Sequence, residues 1–437
     1  MIRPTPRAVS VFAVAAPVSL VLVVIDAALW PFGGGLLVLA VLCTGVDAIL
    51  ATPARGLSIA IDVPDALYVG DSDDLAVSLS VAPGRRGVVV ELACDVGDII
   101  DELPRPMVAV APGSAETGRL ALRPSRRGTA VVERLWLRWR GPLGLTSRHV
   151  VRPIDASIPV VANVRAVRRA AVAFAARDAP FGMRSQNQAG EGSEFDALRE
   201  YVPGLDARAI DWKHSARHRE LICKEFRTER NHQIVLAFDT GHLMSEPVDG
   251  IPRLDHAINA GLLLAYASLR HGDRVGLFGF DSQVRLAMAP IAGLGGFERL
   301  RRAASELDYH AEESNFTLGL VELGARLSRR SLIIVQTDFV DTITAELMVE
   351  NLQRLGRRHL VLFVALGEPA LARTAGALPA SVADLTRAVI ADGFLRERRV
   401  VLERLRRLGV QCLDAPSASL GIDLVNRYLE IKRHELI

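Results

Sequence analysis

Cysteine is scarce in this chain: four in 437 residues, at Cys43, Cys94, Cys223 and Cys412, with no CxxC pair. That spacing argues against a thiolate zinc site and leaves separate thiols in a reducing compartment as the simple reading. A dominant sign of charge is missing as well. The formal net charge is +2, so no global field argues for nucleic acid or for acidic substrates. The sequence also lacks G-x-S-x-G, H-E-x-x-H and a Gly-rich phosphate loop, which removes the common motif-bearing hydrolases and nucleotide binders.

Apolar residues, by contrast, reach 50 %, and the excess is concentrated at the N-terminus. Ala8 to Ile25 is apolar but for Ser10 and Ser19 and contains Pro17; Gly33 to Leu50 is interrupted only by Thr44 and Asp47. Each run approaches the roughly 20 residues needed to cross a hydrocarbon core. They predict two transmembrane helices, about 8–28 and 33–50, in a segment 1–55. Asp26 to Phe32 forms the turn, with Trp30 at an interface. Arg3, Arg7 and Arg55 flank the hairpin, and the positive-inside rule then places both ends and the rest of the chain in the cytoplasm. A cleaved signal peptide fits less well, because no small-residue cleavage site precedes a second apolar span. Asp26 and Asp47 read as interfacial end-caps.

From residue 56 to about 160 the pattern changes to short alternating runs. Leu57–Ile61, Leu75–Val81, Val88–Cys94, Thr129–Glu133 and Leu135–Trp139 read as strands, and Ile158–Val161 closes the segment. Pro64-Asp65, Pro83-Gly84, Pro112-Gly113 and Arg127-Gly128 supply turns at sandwich spacing. The expectation is an immunoglobulin-like β-sandwich with a structural or docking role.

Residues 161–230 combine a linker with a charged segment. Arg165 to Arg177 is basic and Ala-rich; Asp178 to Gly192 is rich in Gly, Gln and Asn. Between Gly190 and Glu229, charges are interleaved with Phe195, Tyr201, Ile210, Trp212, Leu221 and Phe226. A solvated charge run would lack these anchors, so an ordered surface element is expected. Its charges would form a fixed ion-pair network with Trp212 as the apolar floor. Asp196, Asp206, Asp211, Lys213, His214 and Ser215 do not assemble a nucleophile, base and orienting group in any known motif. His214 and His218, spaced i and i+4, lack a third metal ligand. Acids at Asp211, Glu220, Glu225 and Glu229 offset the neighbouring Lys and Arg, which argues against nucleic acid.

The remainder, 231–437, alternates strands with helices and predicts a mostly parallel, doubly wound α/β sheet. Ile234–Asp239 and Ser331–Gln336 are short apolar runs that end beside acids, Asp239 and Asp338. In such sheets ligands bind beyond the carboxyl ends of the strands.

The run Asp196-Ala-Leu-Arg199-Glu200-Tyr201-Val202-Pro203-Gly204, followed by Asp206, Arg208, Asp211-Trp212, Ser215 and Arg217, closely resembles the signature of the bacterial domain-of-unknown-function-58 family. The family pattern has Asp where Leu205 stands; here the acid is Asp206. Ser125–Gly128 and Gly141-Pro-Leu-Gly-Leu145 resemble the family's basic-Gly turn and its "DPLGL" loop, with Gly141 in place of the acid. The resemblance implies a von Willebrand factor A-like domain in the C-terminal half. It also implies a metal site at Asp239, Thr317 and Asp338. The first loop of such a site reads Asp-x-Ser-x-Ser; here Gly241 and Leu243 supply no side-chain oxygen, so any Mg²⁺ would be held weakly. The same resemblance implies a MoxR-type AAA+ ATPase as partner. The resulting expectation is a membrane-anchored, non-enzymatic adaptor with no cofactor, its partners that ATPase and the lipid bilayer. The rivals are a metal-dependent hydrolase using Asp239, Thr317 and Asp338, and a structural protein of the cell envelope.

Overall fold

The computed structural model describes residues 2–101, 104–163, 189–202, 210–218, 220–227, 232–339, 342, 344–434 and 436, without the side chains of 27, 189–199, 218, 224–227 and 344. The basic Ala-rich segment and most of the Gly/Gln/Asn-rich one lie outside the described residues. The chain divides into two units, Met1–Asn163 and Val164–Ile437.

The first unit begins with a short strand, Ile2–Pro4, and two apolar helices, Pro6–Ile25 and Trp30–Leu50. Thr5 caps the first helix, its Oγ1 accepting from the Ala8 N–H at 3.4 Å, and Pro6 occupies the first turn, where a missing N–H costs nothing. Trp30, Pro31 and Phe32, expected in the turn, open the second helix instead. Most side chains on both helices face outward: Val24 is 77 % exposed and Ile49 82 %. Apolar surface of that extent on helices of 20 and 21 residues suits a hydrocarbon solvent, and both helices are long enough to cross one.

Two sheets complete this unit. The larger runs in the order Ile2–Pro4, Thr146–Val161, Gly128–Arg140, Val88–Val96, Met107–Val110, with Leu67–Tyr68 also paired to Thr146–Val161. The smaller contains Leu57–Asp62, Asp73–Val81 and Ala115–Leu122. Alternate residues are buried, among them Leu75, Val77 and Leu79, and Val90 and Leu92. Gly118 of the smaller sheet packs so closely on Leu92 and Val108 of the larger that a Cβ would lie 2.5 Å from Leu92. The two predicted strands at 129–133 and 135–139 are one strand, Gly128–Arg140, with a bulge between Val132 and Arg134.

In the second unit, six strands lie in the order Val284–Ala292, Arg274–Phe280, Gln233–Asp239, Leu332–Gln336, Leu360–Gly367, Gln411–Pro416. Five run parallel, and Val284–Ala292 is an antiparallel edge. The central strands are apolar throughout because both faces are covered. On one face Val235, Ala237, Ile333, Val335 and Phe363 meet Leu320 and Leu323, Met348 and Leu352, and Val401 and Leu405 from three helices. On the other lies the helix Arg253–Arg270, whose Gly261 sits against Phe238. All the parallel strands deliver their carboxyl ends to one edge of the sheet.

Candidate functional site

The family-like segment folds as a strand, Ala189–Glu200, antiparallel to Ile222–Arg227, with the helix Trp212–His218 between them. Asp211 starts that helix. Its Oδ1 accepts from the N–H groups of Lys213 (3.0 Å) and His214 (3.2 Å), and its Oδ2 lies 2.9 Å from His214 Nδ1. Such a cap is worth about 1 kcal/mol. Ser215 stitches the helix to the hairpin: its Oγ donates to the Asp211 carbonyl at 2.7 Å and accepts from the Ile222 N–H at 2.9 Å. The Tyr201 N–H donates to the Leu221 carbonyl at 2.7 Å. Asp211 and Ser215 are therefore buried bracing groups. Trp212, expected as an apolar floor, is 69 % exposed. Glu200 and Arg217 are exposed and Tyr201 half-buried. Asp196 and Arg199 sit on the 189–200 strand, their side chains outside the described residues; Pro203, Gly204, Asp206 and Arg208 lie outside them altogether.

At the carboxyl edge of the six-stranded sheet, Asp239 is 1 % exposed. Its Oδ1 accepts from the Gly241 N–H at 2.8 Å and from the Ser314 hydroxyl; its Oδ2 accepts from Thr337 Oγ1 at 2.5 Å. Burial pushes this carboxyl above its usual range, against the pull of the Ser314, Thr337 and Gly241 donors; Asp281 adds to the rise. Gly241 is required here, since a Cβ at this position would overlap Ser314 Oγ. Ser314 thus brings from another loop a hydroxyl to the place of the serine missing at 241.

Asp338 lies in a different electrostatic setting. Its Oδ2 pairs with Arg253, which also pairs with Glu368. Its Oδ1 accepts from Arg398 Nη1 at 2.6 Å, and Arg398 Nη2 reaches Asp414 Oδ1 at 3.0 Å and the Leu366 carbonyl at 2.8 Å. Five charges alternate in sign along this line. Asp281, at the end of the neighbouring strand, is buried too. Burial disfavours its charge, but the Arg285 guanidinium, 2.7 Å from Oδ2, outweighs that and holds the carboxyl below its usual range.

These contacts decide how well a divalent ion fits. Thr317 is exposed and its Oγ1 accepts from Asn351 Nδ2 at 3.0 Å. Both oxygens of Asp239 and both of Asp338 are engaged by protein donors. An ion held by Asp239, Thr317 and Asp338 would sit against the two guanidiniums already paired with Asp338, beside an exposed Thr317 hydroxyl bonded to Asn351, so the residues as arranged do not fit one. Among the described residues no three His, Cys, Asp or Glu side chains gather as a metal site. Sequence reasoning found Asp239 and Asp338 and missed Ser314, Thr337, Arg253 and Arg398. None of the four sits in a motif, and each is brought in by a different loop or helix.

The described residues form two apolar N-terminal helices followed by sheet-rich domains. Residues 197–389 match the model of the family described as "Protein of unknown function DUF58". Similar solved structures include BatB, a conserved hypothetical protein from Bacteroides thetaiotaomicron. It is 12 % identical with TM-score 0.32, covering 47 % of this chain and 100 % of that one. They also include the vWF domain of the type V pili tip protein Mfa5 from Porphyromonas gingivalis (18 %, TM-score 0.22, 25 % of this chain and 38 % of that one). A third is native alpha-2-macroglobulin from Escherichia coli, domain MG7 to the C-terminus (18 %, TM-score 0.20, 25 % of this chain). The match spans only 17 % of that macroglobulin chain. No curated protein matches the chain.

Proposed function

We propose that this chain is a membrane-anchored, non-enzymatic adaptor. An immunoglobulin-like sandwich would follow a two-pass anchor in the cytoplasmic membrane, and a doubly wound von Willebrand factor A-like domain would face the cytoplasm. Its partner in this reading is a MoxR-type AAA+ ATPase, as the family resemblance implies. The observation that carries the reading is the saturation of the sheet's carboxyl edge. Asp239, Asp281 and Asp338 are each held by the chain's own hydroxyls and guanidiniums, which suits a fixed binding platform better than a reacting centre. The exposed Trp212, raised on a well-braced helix, is the kind of aromatic anchor that dominates interfaces.

The test is recovery of the ATPase with the full chain from detergent-solubilised membranes. Trp212→Ala should lower recovery at least tenfold while leaving the melting temperature unchanged, since an exposed side chain supports little of the fold. Full recovery with Trp212→Ala removes this residue from the interface, and no recovery with the wild-type chain removes the partner.

A further inference from the structure

We propose that the first unit carries a binding site for the phosphate of an anionic phospholipid, formed where its two apolar helices meet the larger sheet. The inference rests on the reading of those helices as membrane spans. A cavity of about 560 Å³ opens there, within the roughly 300–1,000 Å³ of small-molecule sites. Arg7, in the first turn of the Pro6–Ile25 helix, lines it, as do Leu50 to Thr52 at the exit of the Trp30–Leu50 helix. Both helices end at this level, so the cavity lies where hydrocarbon gives way to headgroups.

Its chemistry is one-sided. Arg7, Arg86, Arg138 and Arg140 line it, against one acid, Glu91. Glu91 is taken by Arg138 at 3.6 Å. Arg7, Arg86 and Arg140 make no ion pair among the described residues and are exposed. Only Arg7 flanks an apolar run in sequence. Arg86 comes from the turn before the Val88–Val96 strand and Arg140 from the end of the Gly128–Arg140 strand. The fold therefore gathers these charges, and charge bias at helix ends does not explain them. Planar guanidiniums match a phosphate with paired hydrogen bonds. Leu50 and Leu143, 45 % and 52 % exposed, give the rim an apolar side, as a lipid's acyl chains require and a free ion does not. Basic pockets beside membrane helices are a known way to hold anionic headgroups.

The test uses the full chain in vesicles of phosphatidylcholine, with and without phosphatidylglycerol. Flotation first establishes membrane insertion; native mass spectrometry after detergent extraction then counts retained phosphatidylglycerol. The wild type should float and retain phosphatidylglycerol over phosphatidylcholine. The Arg86→Gln, Arg140→Gln double variant should float equally but lose that preference by about 25-fold, roughly fivefold per arginine. The Lys double variant, which keeps the charge but not the paired hydrogen bonds, should fall between wild type and the Gln variant, and Arg119→Gln, on the smaller sheet, should match wild type. A chain that floats with no preference, or a Gln variant that retains it, overturns the site alone. Full displacement of the lipid by millimolar inorganic phosphate overturns a lipid ligand in favour of a soluble anion. A chain that fails to float overturns the membrane reading and this site together.

Discussion

Asp239 and Asp338 begin alike in the sequence, each an acid beside an apolar strand, and finish in opposite electrostatic settings. Asp239 has hydroxyl and amide donors but no cation, so burial raises its pKa. A group raised in the folded state favours folding below its unfolded value of about 4, and that advantage is lost as pH rises through the folded value. Asp239→Asn removes this titration. The variant should therefore gain on the wild type as pH climbs from about 4 toward neutrality, read as a growing difference in melting temperature. Parallel melting curves across that range would show that Asp239 stays ionised. Its burial was legible from the apolar run before it. Its partners were not, because Ser314 and Thr337 lie 75 and 98 positions away and nothing local marks them.

At the scale of elements, the alternating charges Glu368, Arg253, Asp338, Arg398 and Asp414 clamp two helices on the carboxyl edge of the sheet. Arg253 opens the helix Arg253–Arg270, and Arg398 lies within Val382–Arg407. Asp338→Ala should take one of two acids from the buried Arg253 and from the half-buried Arg398. The cost should be about 3 kcal/mol, the lower end for broken buried pairs, since each arginine keeps one other acid. Urea unfolding of the detergent-solubilised chain measures it; a loss below about 1 kcal/mol would mean the clamp is slack. Strands and helices of this unit were readable because period and length differ clearly between buried strands and amphipathic helices. In the first unit the reading failed at Met107–Val110 and Ala115–Leu122. The second is built of Ala, Glu, Thr, Gly and Arg as much as of apolar residues, and Gly118 is there because Leu92 leaves no room for a side chain. The roles of the signature residues were the least legible. Cap and stitch roles for Asp211 and Ser215 depend on hydrogen bonds to residues that motif spacing does not reveal.

For the whole molecule, the proposed topology makes a simple prediction. Protease added to inverted membrane vesicles should digest the α/β unit, while intact cells and spheroplasts should protect it. Protection in vesicles with digestion in spheroplasts would place that unit outside the cytoplasm and favour an envelope role.

Asp47 sits in the last turn of the second apolar helix, fully buried. Its carboxylate accepts from the N–H groups of Leu143 (2.6 Å), Leu145 (3.0 Å) and Thr146 (2.6 Å) and from Thr146 Oγ1 (2.7 Å). Gly141 leaves it the space, since a Cβ there would lie 2.5 Å from either oxygen. The Leu143–Thr146 loop thus takes its acid from the second apolar helix. Mechanically, the helix cannot swivel without dragging that loop and the strands on either side of it. Torque or tilt imposed on the helix by its surroundings would pass straight into the sheet, as through a keyed shaft.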